Sequence, residues 1–172
     1  MPKRFEAPLL FMGYGIDSAD EGWNDYEGTD VHGKVLVVMV NDPKPTAAEP
    51  DRFGGKSLTW YGRWTYKFEE AARKGAAVGI LLIHTTESAS YPWSVASNGH
   101  GKEQFHLVSK GNAMQGWLHE ETARAIFNAI SKSLDGLRAQ AEVRGFKPVD
   151  LGVRVRVALD ASHRAVEEFN VA

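Results

Sequence analysis

A chain of 172 residues, 43% hydrophobic and 24% charged, has the composition of one folded domain with a real core, or of a domain with a docked tail, and not of a disordered segment. Its formal net charge of -2 argues against nucleic acid as a partner, because phosphate binding needs clustered surplus Lys and Arg, and Arg154 with Arg156 is the nearest approach to a basic stripe. The absence of cysteine excludes disulfides, zinc–thiolate sites and cysteine nucleophiles.

No apolar run approaches the roughly 20 residues of a spanning helix. The N-terminal LLFMGYG is short and is followed by acidic DSADEGWNDYEG rather than a small-residue cleavage site, so no signal peptide is expected. Residues 9–14 read as a first strand ending at Gly13 and Gly15. GYG is a turn rather than a nucleotide loop, because neither GxGxxG nor GxxxxGK[ST] occurs in the chain. Residues 18–30 form an acidic connection whose Trp23 and Tyr26 are expected to fold back onto the core. KVLVVMV, within residues 31–40, is apolar on successive positions and predicts a strand covered on both faces, closed by Asn41-Asp42-Pro43. Residues 45–57 read as an exposed excursion, and 58–61 as a short strand or the approach to a helix.

Residues 61–84 are the central unit. Trp64, Phe68, Ala71 and Ala72 recur at helical spacing, whereas Lys67, Glu69, Glu70, Arg73 and Lys74 are expected to face solvent. Gly75 closes the helix, and residues 78–83 follow as a second strand buried on both faces. After His84 comes a polar, irregular region that nevertheless carries Tyr91, Trp93, Phe105 and Leu107. Residues 114–118 predict another strand. Residues 120–130 predict a helix with Ala123, Ile126, Phe127 and Ile130 on one face, and Ser133 caps a second helix presenting Leu134, Leu137 and Ala141. In residues 151–159 apolar positions alternate with Arg154 and Arg156, which predicts an antiparallel or edge strand with one wet face. The fold class is therefore mixed α/β, and not a plain doubly wound sheet.

Chemistry-bearing patterns are weak. His100, Glu103 and His106 in HGKEQFH offer nitrogen and oxygen donors, but not at the separations of a catalytic zinc helix, and Gly99 and Gly101 oppose a helix there. Ser88, Ser90, Ser94 and Ser97 share a loop with no GxSxG elbow. Glu69 and Glu70 read as a solvated helix face. His84 closes a buried strand at the end where sites often lie, and Trp60, Tyr61, Trp64 and Tyr66 are richer in aromatics than a surface needs. No catalytic and no metal-ligating residue is assigned.

The pieces LLFMGYG, GWNDYEGTDVHGKVLVVMVNDP, WYGRWTYKFEEAARKGAAVGILLIH, YPWS, GWLHEETARAIF and GFKPVDLGVRVRVAL together resemble the protease-associated (PA) domain of zinc aminopeptidases of the M28 peptidase family, over residues 8–160. The resemblance implies a small β-sandwich or open barrel flanked by helices, with the PA domain at residues 1–161. Residues 162–172 would then be a connector toward a peptidase domain outside this chain. It implies a non-catalytic role for this chain, shaping substrate access or contacting the peptidase domain and peptide. Zinc is expected in the peptidase domain and no cofactor in this chain, and the parent protein is expected to be periplasmic or extracellular. The expected peptide or interdomain contacts are Tyr91, Trp93, His84, Phe105 and Trp60, with Tyr91 and Trp93 on the surface. His119 departs from the family pattern, which favours a capping serine there. The alternatives are an independent peptide- or protein-binding module and a metal-dependent hydrolase in its own right.

Overall fold

The computed structural model describes residues 3–75, 78–85, 91–99, 111–160, 162 and 164–167. Its elements are β1 (Lys3–Phe11), the short pair β2 (Asp17–Ser18) and β3 (Trp23–Asn24), β4 (Val35–Met39), α1 (Trp64–Arg73), β5 (Gly79–His84), α2 (Trp93–Gly99), β6 (Met114–His119), α3 (Glu120–Ala129), α4 (Leu134–Ala141) and β7 (Val149–Leu159). Five strands form one sheet in the order β6-β5-β4-β1-β7. The first four are mutually parallel, and β7 lies antiparallel to β1 at the far edge.

Both faces of the parallel strands are covered, as their continuous apolar sequences require. Leu9, Phe11, Val35, Val37, Met39 and Ile83 point to one face and pack with Ala123 and Phe127 of α3 and Leu134, Leu137 and Ala141 of α4. The residues between them, including Leu10, Leu36, Val38, Ile80 and Leu82, point to the other face and meet Phe68 and Ala71 of α1. At the top of β1 the Phe11 ring is edge-on to both Phe127 and Phe146. Gly13 is required there: it has φ +63°, and a Cβ would sit 2.8 Å from the Phe146 ring.

The two capped helices form as expected. The Ser133 hydroxyl accepts from the Gly136 amide at 3.1 Å, and the His119 ring accepts from the Glu121 amide at 3.4 Å, so a histidine does cap α3. The edge-strand reading of β7 also holds, with a half-buried or buried residue alternating with an exposed one along most of its length. Beyond β7, the described residues 160, 162 and 164–167 form neither helix nor strand.

Four expectations are corrected or narrowed. β1 begins at Lys3, not residue 9, because its first half pairs only with β7 and carries no apolar run; Glu6 there meets Arg154 at 2.9 Å and Arg156 at 3.2 Å. Of the two readings of residues 58–61, the strand is absent and the approach to a helix holds, through a turn at 60 and 61 that leads to α1. The excursion at 45–57 is pinned rather than exposed throughout, since Arg52 and Phe53 are buried and Phe53 packs edge-on to Trp23 and Tyr61. The fourth concerns α1. Trp64 is 45% exposed, while Lys67 and Glu70, expected in solvent, are 0% and 1% exposed. The segment carrying β2 and β3 accounts for this by packing on the flank that a lone sheet-bound helix leaves wet. The Tyr66 hydroxyl bonds the Asp17 backbone, Lys74 pairs with Asp17 and its amine lies over the Tyr26 ring, and Glu70 is neutralised by Arg73 and by Lys74. Glu70 is thus an internal structural carboxylate, while Glu69 and Arg73 are exposed as expected and Lys74 is half-buried.

Truncating a side chain that α1 and the sheet enclose should be costly. Leu36→Ala is expected to lower unfolding free energy by about 2–5 kcal/mol in urea titration, whereas Arg156→Ala, on the wet face of β7, should stay within about 0.5 kcal/mol.

Candidate functional site

The parallel strands β5 and β6 end side by side, which places His84 opposite His119 in register. His84 is buried, and its Nε2 lies 2.9 Å from the Tyr91 carbonyl. A carbonyl only accepts, so this nitrogen carries the hydrogen. Rings then gather around it. Tyr91 is 5.4 Å from His84 between centroids, Trp93 is 5.5 Å from His84 and 5.2 Å from His119, and Trp117 is 6.3 Å from His84. Trp117 continues the series to Trp64 at 6.3 Å, and Trp64 meets Phe68 at 5.8 Å. The result is an aromatic ridge from the end of β6 to the first turn of α1. Beside it, a cleft of about 280 Å³ is lined by His84, His119, Glu120, Glu121 and Arg124.

Of the residues singled out from sequence, His84, Tyr91 and Trp93 are brought together. Trp60 is not part of the same group: it is 52% exposed and its ring contact is Tyr66, at 6.3 Å. Phe105 lies outside the described residues, as do His100, Glu103 and His106 of the HGKEQFH segment and Ser88 and Ser90. Ser94 and Ser97 are exposed on α2. That helix is itself a correction, since the YPWS region read as irregular. Tyr91 and Trp93 are half-buried, with Trp93 edge-on to both histidines, so neither is a fully exposed surface residue. Trp117 and His119 were passed over. The available signal was positional: both lie toward the C-terminal end of a parallel strand next to the one ending in His84.

A second cluster, of charged and phenolic groups, was not expected at all. It lies where β1 and β4 end. The Lys67 amine, fully buried, has no hydrogen-bond partner; it stands over the rings of Tyr14 at 5.9 Å and Tyr66 at 5.7 Å, with Asp25 and Asp42 as its opposing charges. Asp25 accepts from the Ile16 amide at 3.0 Å and from Trp23 Nε1 at 2.8 Å. Asp42 accepts from the Thr59 hydroxyl at 2.5 Å, and the Tyr14 hydroxyl donates to Glu142 at 2.5 Å. Burial pushes Lys67 down to about 7 and Asp25 up to about 6, and it raises Asp42 and the three neighbouring tyrosines Tyr14, Tyr26 and Tyr66. A fully buried amine reaches no solute in this conformation, so the cluster acts on stability.

Among the described residues, no group of three or more His, Asp or Glu is arranged to hold a metal ion. No helix among them is long and apolar enough to cross a membrane. Compared with models of protein families, with curated proteins and with solved structures, the chain matches none.

The buried cluster gives stability a definite pH dependence. Asp25 holds its proton more tightly folded than unfolded, so its contribution is present at low pH and is lost as pH rises from the ordinary 3.8 toward about 6. Lys67 holds its proton less tightly folded, so its penalty is relieved as pH rises from about 7 toward the ordinary 10.5. Together they place a local stability minimum between about pH 6 and 7, opposite to the usual neutral maximum. Denaturant titrations across pH 4–9.5 check this, and Lys67→Met is expected to abolish the alkaline rise.

Proposed function

We propose that this chain is a non-catalytic accessory domain of protease-associated type in a zinc-dependent M28-family aminopeptidase. It contacts the peptidase domain, or the peptide approaching it, through the aromatic ridge. The observation that carries the reading is the exposure of large rings along the ridge: Trp64 leaves about half its surface in solvent, and Tyr91 and Trp93 are only half covered. Such side chains are costly to leave wet and lose little rotamer freedom on docking, which makes them effective anchors. The motif resemblance supplies the class of parent enzyme; of the narrower fold classes it implies, the PA-type open barrel flanked by helices is kept in the proposal, because helices rather than a second sheet cover the five strands. On this reading zinc belongs to the peptidase domain, residues 162–172 lead toward it, and the parent is periplasmic or extracellular.

In the parent enzyme, Trp93→Ala is expected to leave zinc content and turnover of an amino-acid p-nitroanilide within about twofold, while lowering kcat/KM for longer peptides about tenfold. In this chain alone the same substitution should cost well under the roughly 3 kcal/mol that emptying a buried aromatic site begins at. A core-sized stability loss with unchanged peptide kinetics rejects the ridge as a contact surface. Zinc-dependent p-nitroanilide turnover by this chain alone, surviving purification, rejects the accessory role. Micromolar peptide binding without the peptidase domain turns the reading to an independent module.

A further inference from the structure

β7, the longest strand, lies at an edge of the sheet, so one row of its amides and carbonyls has no strand beside it among the described residues. Its two halves differ. The half beside the top of β1 is bent: its pairing with β1 slips between Pro8 and Leu10, Gly152 takes φ +72°, and the Gly152 amide donates to the Asp150 carboxylate at 2.8 Å. A bulge of this kind spoils an edge for further pairing. The other half, residues 153–159, reads VRVRVAL, with no glycine or proline, and keeps one register with β1 from Arg154↔Pro8 to Leu159↔Lys3. Over most of that length β1 has no second neighbour, since β4 joins it only at Leu9, Leu10 and Phe11. A two-stranded ribbon therefore projects from the sheet, and such a pair is marginal in water without further cover.

The faces of the ribbon are unlike. On one, Val153, Val155 and Val157 are only partly covered and Leu159 is 36% exposed. On the other stand Arg154, Arg156, Arg4 and Glu6, and the single carboxylate of Glu6 answers Arg154 at 2.9 Å and Arg156 at 3.2 Å. That face is short of negative charge. Asp160, directly after β7, is exposed and would continue the same face by one step.

We propose that this end of β7 pairs antiparallel with the same segment of a second copy of the chain, about a two-fold axis at Val157. In that register Val157 faces its own equivalent, Val155 faces Leu159, Arg156 faces Ala158 and Arg154 faces Asp160, with each unlike contact made twice. The exposed Leu159 is covered, the charge-poor face gains a carboxylate from the copy, and the small Ala158 leaves Arg156 room. Other registers fit worse. An axis at Arg156 sets that residue against itself, and one at Val155 sets Arg154 against Arg156. An axis at Val153 runs into the bulge at Gly152, and one at Ala158 leaves a ladder of residues 157–159 alone. The two five-stranded sheets become continuous through this contact. It is separate from the aromatic ridge and stands whether or not the accessory role does.

The test is sedimentation equilibrium of the intact chain. A monomer–dimer equilibrium with Kd of about 10–100 μM is expected, weak because the ladder is short. Arg154→Asp and Asp160→Arg, each acting twice in the dimer, are expected to raise Kd about tenfold, and the two combined, which exchange the charges, to bring it back within about threefold. Amide hydrogen exchange in residues 154–160 should slow as concentration rises through the same range. A chain that stays monomeric at about 1 mM overturns the proposal. So does a dimer indifferent to the single changes, or one that their combination does not regain. Protection of residues 154–160 that is independent of concentration also overturns it, because the chain would then cover its own edge. A dimer abolished by Trp93→Ala and kept in Arg154→Asp places the contact at the ridge and rejects the β7 pairing. If Arg154→Asp fails to fold beside Glu6, Asp160→Arg, which lies outside the strand, and the exchange of the unaltered chain decide.

Discussion

β4 and β5 carry no polar side chain before the closing His84, and this constrains everything around them. Each strand must be covered on both sides, and the chain must find that cover within a single domain. α1 supplies one side on its way from β4 to β5. The other side is supplied only later, by the pair α3 and α4 between β6 and β7. The direction of β7 follows from that pair. One helix between two strands returns the chain to the end where the previous strand began, and the next strand runs parallel. Two antiparallel helices instead bring it back to the end where the previous strand stopped, so β7 must run down the sheet. It begins opposite Phe11, at the top of β1, and finishes opposite Lys3. Arg124 ties the two helices together by gripping Glu120 in α3 and Asp135 in α4.

Covering the sheet this way leaves the ends of the central strands to be closed by loops, and the loops bring charge inside. Gly13 and Gly15, both at positive φ, turn the chain tightly enough for Tyr14 to reach Glu142 and for the Ile16 amide to reach Asp25. Lys67 then lies over the ring of Tyr14, in the turn after β1, with Asp25 and with Asp42, which follows β4, as its opposing charges. Its amine is held by ring faces and two carboxylates at longer range rather than by a direct hydrogen bond. An ion buried this way is a poor source of stability, because desolvation offsets most of the attraction. Its value lies in joining α1 to the turn at Tyr14, whose ring its amine faces.

Most of the framework was legible because it rests on periodicity and local chemistry. Runs such as KVLVVMV and GILLIH announce two-sided burial, Ser133 announces a helix start, and the alternation from Leu151 to Leu159 announces a one-sided strand. Parity of helices before β7 was legible too, though it takes the sheet order to use it. What failed was α1, and the reason is tertiary. An amphipathic helix read alone has one buried face, but a segment folded on its flank buries another. Lys67 and Glu70 look solvated until Tyr14 and Tyr66 are known to lie under the Lys67 amine, and Lys74, itself held by Asp17, to face Glu70. Arg52 in the 45–57 stretch misleads for the same reason: polar composition says loop, and only the carbonyls of Lys44 and Glu142 reveal that the loop is anchored. The candidate site was half legible. Position after a buried parallel strand pointed to His84, whereas Trp117 and His119 gain meaning only from the register of β6 against β5.

The arrangement of charge and aromatic surface also separates two kinds of work. Around the ends of β1 and β4 the polar groups are internal, engaged with one another and fixed by several backbone contacts, as a framework requires. Around the ends of β5 and β6 the rings touch mainly through edges, lie partly in solvent and are joined to the sheet by few hydrogen bonds among the described residues. A surface built of partly covered rings can improve its packing when another surface arrives, and a polar cluster already enclosed in the domain cannot. Closed packing at the centre and unfinished packing at the edge are complementary, because the first holds the second in place. That division, more than any single residue, singles out the β5–β6 end of the molecule as the face we propose for contact with another molecule.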